Sequence, residues 1–150
     1  MSKVLSIGII PYTYENNEIL FFVGHPGGNT TNFWGMLKGM HEENESYNST
    51  ALREFYEESG YDLSGYKDQL VDLGMVVQSK HKNVHAFALE IKSKDLINPN
   101  KCHSNMADGF PWPEISEYRW MKYDDVIKYT HPSHKEFYDK ILQIEQINNF

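Results

Sequence analysis

Gly39-Met40-His41-Glu42-Glu43-Asn44-Glu45-Ser46-Tyr47-Asn48-Ser49-Thr50-Ala51-Leu52-Arg53-Glu54-Phe55-Tyr56-Glu57-Glu58-Ser59-Gly60-Tyr61 is the stretch around which the chain is organised. A glycine-led polar turn runs into a segment of helical periodicity, about Ser46 to Ser59, which stops at Gly60, a C-cap residue. At about 100° per residue, Glu54, Glu57 and Glu58 fall within one arc of roughly 100°. Leu52, Phe55, Tyr56 and Ser59 take the other side. Carboxylates three and four residues apart repel by about a few tenths of a kcal/mol per pair. Arg53 reaches Glu57 at i,i+4, yet one guanidinium cannot neutralise the whole group. A cation is missing from the tally. Hard divalent ions such as Mg2+ take oxygen ligands, commonly one or two carboxylates plus substrate phosphates.

A charge run of this kind is ordinarily a solvated helix face. The spacing argues for more. Gly39, Glu45, Arg53, Glu54, Glu57, Glu58 and Gly60 occupy all the fixed positions of G-x5-E-x7-R-E-U-x-E-E-x-G-U, with U apolar. Phe55 fits the first U, and Tyr61 stands where an aliphatic residue is usual. A chance match is on the order of one in a million for a chain of this length. The stretch resembles the box of the Nudix hydrolases. That resemblance implies an α/β/α sandwich around a mixed β-sheet, a single domain over residues 1–150, and Mg2+-dependent cleavage of a pyrophosphate linkage in a nucleoside di- or polyphosphate derivative, with Mn2+ as the alternative ion. It implies Glu54, Glu57, Glu58 and the carbonyl of Gly39 as metal ligands, and Arg53 and Glu45 as residues that orient them. Glu45 also reads as an early helical acid favoured by the macrodipole.

The catalytic base is open between three carboxylates. Pro113-Glu114-Ile115-Ser116-Glu117-Tyr118-Arg119-Trp120 resembles the segment that carries an acid ahead of a late Trp-containing strand in the dinucleoside-polyphosphate and RNA-pyrophosphohydrolase branches. Glu114 takes that position, Glu117 is the alternative, and Glu54 can serve itself. Lys38, just before the box, resembles the lysine of a Pro-Lys-Gly-His run in those branches, although Leu37 and Met40 depart from it. It reads either as a phosphate-binding point charge or as a surface lysine. Lys80-His81-Lys82 reads as a polar hairpin turn, with Lys82 as a second candidate for substrate phosphate. Trp34, Tyr12, Phe110 and Trp112 offer stacking faces or core bulk. The histidines give no zinc spacing.

Working outward, Val4 to Tyr14 reads as a strand interrupted or ended near Pro11, and Ile19 to Val23 as a buried strand. His25 to Asn32 is a loop by composition. Leu70 to Gln78 and Asn83 to Ile91 read as strands, and Asp95 to Glu117 as a long irregular segment of the kind that forms lids. Tyr118 to Met121 is a short strand and Asp124 to Lys128 a turn or short helix. Ser133 to Ile147 is a closing amphipathic helix with Ser133 as N-cap.

The chain has 150 residues, 40% hydrophobic and 14% aromatic, which excludes a disordered chain. Its net charge of −7, from 21 acids against 14 Lys and Arg, argues against broad binding to nucleic acid or anionic membranes. A 5′-phosphorylated RNA end stays compatible. The lone Cys102 and the short apolar run Val4 to Ile10 make a cytoplasmic protein with a small nucleotide substrate the expectation. A dinucleoside polyphosphate or an RNA end leads among substrates. The alternatives are a nucleoside-triphosphate pyrophosphohydrolase and a non-catalytic nucleotide-binding module, against which the intact carboxylates speak.

Overall fold

Pro11 does not interrupt the first strand. In the computed structural model, which describes residues 3–28 and 32–148, β1 runs unbroken from Val4 to Glu15. The reason lies in its neighbours. On one side β1 pairs in parallel with β5 (Lys82–Glu90), and the Tyr12 carbonyl accepts from the Ile91 N–H on that side. Alternation turns the Pro11 nitrogen the other way. There β3 (Leu37–Met40) covers Ser6 to Ile9, and β2 (Glu18–Pro26) covers Tyr12 to Glu15. Pro11 falls in the gap between these two partners, where no ladder bond is lost.

Asn16 and Asn17, with φ of 53° and 65°, form the tight hairpin between β1 and β2. The strand β2 extends to Pro26, into the stretch expected to be a loop, and Asn29, Thr30 and Thr31 lie outside the described residues. The helix α1 spans Tyr47–Ser59, and β4 (Val71–Ser79) pairs with β5. The strand β6 is longer than its sequence suggests. It begins at Ile115 and runs to Lys122, pairing antiparallel with β2. The order β4-β5-β1-β2-β6, with β3 also on β1, makes a mixed six-stranded sheet.

Alternate residues of β1, β2 and β5 feed two cores on opposite faces of the sheet. Ile9, Phe22 and Leu37 pack with Ala51, Leu52 and Phe55 of α1. Ile10, Phe21 and Val23 pack with Val126 of α2 (Tyr123–Tyr129) and with Phe137, Tyr138 and Ile141 of α3 (Lys135–Asn148). Neighbouring residues on a strand face opposite ways, so α1 covers one face and α2 and α3 the other. Ser133 does not cap α3. It sits inside a 3-10 turn, Pro132–His134, whose own cap is His131. Among the described residues no helix is long and apolar enough to cross a membrane.

Candidate active site

Local chemistry fixes the ends of α1. The Ser46 side chain accepts from the Ser49 N–H at 3.1 Å, and Gly60, at φ 83°, sends its N–H back to the Tyr56 carbonyl. Between these caps the helix lies on β1 and β3, and the buried arc is wider than the apolar residues alone suggest. Glu54 and Glu58 belong to it, at 9% and 6% exposure, while Tyr56 is 55% exposed. The helix wheel alone puts the carboxylates on an exposed face and Tyr56 on the packed side. The correction is physical: a wheel fixes the angles between side chains, and the neighbouring strand decides which arc is covered. Here β3 comes up beside Glu54 and Glu58.

Arg53 ties the helix to the turn before it. It donates from Nε and Nη2 to Glu45 at 2.7 and 2.9 Å, and from Nη1 to Glu54 at 2.9 Å and to Glu57 at 3.2 Å. A further Nη2 bond reaches the Met40 carbonyl at 3.2 Å. The fork geometry suits this bridging. The bonds from Arg53 hold the Glu45 carboxyl down at about 2. Thr50, fully buried, donates its hydroxyl to Glu45 at 2.9 Å and meets His41 Nδ1 at 2.9 Å, so that His41 is also drawn into this network.

Glu54 and Glu58 behave oppositely to Glu45. Burial raises the pKa of Glu54, with Arg53 opposing and Glu57 and Glu114 adding to the rise. Burial pushes Glu58 up to about 8, reinforced by the charges of Glu54 and Glu114 and opposed by Lys38. The Lys38 backbone N–H donates to Glu58 Oε2 at 3.0 Å. Gly39 is pressed against the Glu54 carboxyl group so closely that a Cβ would stand 2.0 Å from it. Gly39→Ala is therefore expected to push the Glu54 carboxylate aside and cost roughly 10–100-fold in turnover, the loss seen when a metal-site residue is misplaced. Because the clash is with the end of a flexible side chain, the melting temperature should change little. An active Gly39→Ala enzyme would show that this close approach is not needed.

Of these carboxylates Glu58 opens on a cleft of about 460 Å³, lined among others by Trp34, Lys38, Glu114 and His131. Glu114 is brought to it by its backbone. Its N–H donates to the Asn105 carbonyl at 2.9 Å, and its carbonyl accepts from the Gly27 N–H at 2.8 Å. Its charge acts on both Glu54 and Glu58. Glu117, three residues on, lies on β6 opposite His25 and pairs with Arg119 at 3.5 Å. Lys38 and Lys82 stand side by side. Burial first, then Lys82, lowers Lys38 to about 8, and Glu58 opposes this. Trp34 and Tyr12 are buried in the core, and Phe110 stacks on Trp112 at 4.9 Å on the 107–112 turn. Sequence reasoning passed over Gln78, His131 and His134, which line the same cleft. His131-Pro132-Ser133-His134 carried a helix-start signal only, and nothing local places Gln78 beside it.

The side chains of this site suit a hard divalent cation. Two buried carboxylates repel each other, a third acid approaches them, and the glycine backbone leaves room at Glu54. As they stand, no three His, Cys, Asp or Glu side chains among the described residues converge on one point. Glu54 and Glu57 are turned to Arg53, and Glu58 to the Lys38 N–H. Fold and site together define a hydrolase class in which a helix-borne carboxylate cluster faces a cleft that also holds cations. A model of the NUDIX domain matches residues 3–141. The chain therefore belongs to the Nudix family of phosphoric-anhydride hydrolases, whose members generally use divalent metal ions.

Its similarity to individual proteins is more distant. It is 24% identical over 149 residues to the RNA pyrophosphohydrolase of Wolbachia pipientis subsp. Culex pipiens (strain wPip), covering 91% of this chain and 85% of that one. Its fold is similar to that of the C. elegans Ap4A hydrolase in a binary complex, with TM-score 0.69 and 18% identity over 98% of this chain and 99% of the other. It is also similar to the NUDIX domain of Shewanella oneidensis NrtR complexed with ADP ribose, with TM-score 0.67 and 16% identity over 95% and 90% of the two chains.

Proposed function

We propose that the chain hydrolyses a pyrophosphate linkage in a nucleoside polyphosphate, with Mg2+ or Mn2+ as the resident ion. The observation that carries this reading is the polarity of one cleft. Buried Glu58, Glu114 and Lys38 line it together, Glu54 adds its charge beside Glu58, and Lys82 stands next to Lys38. A polyphosphate spans such a cleft naturally, with one part of its charge met by lysines and another by a cation on the carboxylates.

Glu54, Glu57, Glu58 and the Gly39 carbonyl would hold the divalent ion, which when bound neutralises phosphate charge and lowers the pKa of water. The rest falls to the chain's own groups. Arg53, anchored by Glu45, keeps Glu54 and Glu57 in place. Lys38 and Lys82 bind non-bridging phosphate oxygens and orient the anhydride. Glu114 takes the proton of the attacking water as the water oxygen bonds to phosphorus. The bridging P–O bond breaks, and its oxygen leaves with the departing phosphate chain. Each product keeps one oxygen of the original linkage or of water, and no redox change occurs.

A dinucleoside polyphosphate is the substrate we favour, from likeness to the Ap4A hydrolase fold. A 5′-phosphorylated RNA end is the second reading, supported by the RNA pyrophosphohydrolase relative and opposed by the net charge of −7 for anything longer than an end. A screen of diadenosine tetraphosphate, ATP and a 5′-triphosphorylated oligonucleotide in Mg2+, with product masses, separates these. Turnover of diadenosine tetraphosphate well above the others is expected. Hydrolysis of none of them would overturn the proposal. Binding should also be visible without chemistry: millimolar Mg2+ is expected to raise the melting temperature in a concentration-dependent way, as any native-state ligand does. A flat melting temperature in Mg2+ and Mn2+ alike would leave the acidic helix without its ion.

A further inference from the structure

His131 lines the cleft within electrostatic reach of Lys38 and Lys82 and has no role in the scheme above. Its ring is half-buried, edge-on to Phe33 at 5.5 Å between centroids and 5.2 Å from the ring of His134. What singles it out is a hydrogen bond that fixes its tautomer. The backbone N–H of Ser133 donates to His131 Nδ1 at 3.2 Å, and the Ser133 hydroxyl lies 2.8 Å from the same nitrogen. A backbone N–H only donates, so Nδ1 is an acceptor and carries no proton. The neutral ring must then hold its proton on Nε2, at the end away from the cap. Burial, with Lys38 and Lys82 next, lowers its pKa, which keeps the ring neutral near pH 7.

We propose that His131 is a substrate-binding residue that donates its Nε2–H to a non-bridging phosphate oxygen held by Lys38 and Lys82. The inference rests on the reading of the cleft as a polyphosphate site. Its logic is one of complement. The lysines supply charge without direction, and a ring locked by its own backbone cap supplies a donor of fixed direction at little entropic cost. His134 does not compete for this role. Its Nε2 is engaged with Gln78 Oε1 at 2.8 Å, and it is buried at 6% exposure against Phe137. Gln78 and His134 instead line the cleft as a hydrogen-bonded pair beside His131.

The test uses His131→Asn. Asparagine keeps a side-chain oxygen able to accept from the Ser133 N–H, so the cap survives, while its amide N–H groups stop short of the position that Nε2 reaches. With diadenosine tetraphosphate the expected result is a rise in KM of roughly tenfold, with kcat changed much less and the melting temperature preserved. Titration calorimetry with inorganic tripolyphosphate should show a similar loss of affinity, since the contact is to phosphate. On the wild-type protein, ¹⁵N NMR of the imidazole should show Nδ1 unprotonated and Nε2–H shifting when tripolyphosphate is added. An unchanged KM in a folded variant, or an Nδ1-protonated ring, would overturn the proposal. So would a loss confined to the nucleotide and absent with tripolyphosphate. Failure of the wild type to hydrolyse any nucleotide would strike the reading of function instead, and the calorimetric and NMR arms would still judge His131.

Discussion

Glu58→Gln is expected to lower turnover by at least ~10²-fold while leaving the fold intact, and to make the metal-free protein more stable at pH 7. The lower bound is the cost of losing a partner that only orients a ligand; losing a ligand carboxylate should exceed it. The stability gain follows from burial. Glu58 is 6% exposed, close enough to Glu54 and Glu114 to feel both charges, and raised to about 8 from an ordinary 4.5. A carboxyl group whose folded pKa lies above its unfolded value binds the proton more tightly in the folded state. Its contribution is fully present below the unfolded pKa and is lost as pH climbs through the folded one. Metal-free wild-type protein should therefore lose stability between about pH 4.5 and pH 8. An amide at this position has no charge to desolvate, so the Glu58→Gln variant should show a flatter profile in this window. Saturating Mg2+ should narrow the difference, because the ion stabilises only the protein that can hold it. Melting temperatures across that pH range, with EDTA and with Mg2+, give both comparisons. Near wild-type kcat in Glu58→Gln at saturating Mg2+ would remove Glu58 from the ligand set. Glu57→Gln should lose turnover comparably, with a smaller stability gain, since Glu57 is more open to solvent, at 39% side-chain exposure.

The second large effect is expected at Glu114. If it accepts the proton of the attacking water, Glu114→Gln should lower kcat by about 10²–10⁴-fold with KM changed much less. The geometry favours it over its neighbour. The Glu114 backbone is held on both sides, by Asn105 and by Gly27, and its charge reaches Glu54 and Glu58. Gly27 permits this because a Cβ there would stand 1.8 Å from the Pro113 carbonyl oxygen. Glu117 is spent on Arg119 along β6, so Glu117→Gln should be mild. Steady-state kinetics over pH decides among the three acids. A neutral Glu114→Gln, together with loss of the acidic limb in Glu54→Gln, would return the base to the helix.

The box was legible because its chemistry is local. Ser46 and Gly60 cap α1 through bonds spanning three or four residues, and Arg53 reaches Glu57 one turn away. Its burial was not legible. The sequence gives the angles between Glu54, Glu57 and Glu58, but β3 settles which of them go inside, and β3 itself escaped notice. Leu37-Lys38-Gly39-Met40 is four residues long and shows no convincing alternation, so only its pairing with Ser6 to Ile9 makes it a strand. Ile115 to Glu117 joined β6 for the same reason, through β2. Pro11 misled in the opposite direction, because its cost depends on whether a partner faces its nitrogen. The cluster of Lys38, Lys82, Gln78 and His131 is a tertiary product throughout. Lys38 comes from β3, Lys82 from the start of β5, Gln78 from β4 and His131 from the turn before α3. Both lysines were visible as charges, whereas a histidine that caps a turn leaves no trace of what its other nitrogen faces.

The most direct measurement is a metal titration of catalysis. Metal-stripped wild-type protein and Glu58→Gln are assayed for cleavage of diadenosine tetraphosphate in EDTA and then in rising Mg2+. No turnover in EDTA, saturable recovery in Mg2+ for the wild type, and little recovery for Glu58→Gln are expected. Turnover that persists in EDTA, or a Glu58→Gln variant that recovers like the wild type, would contradict a buried carboxylate cluster holding a catalytic cation.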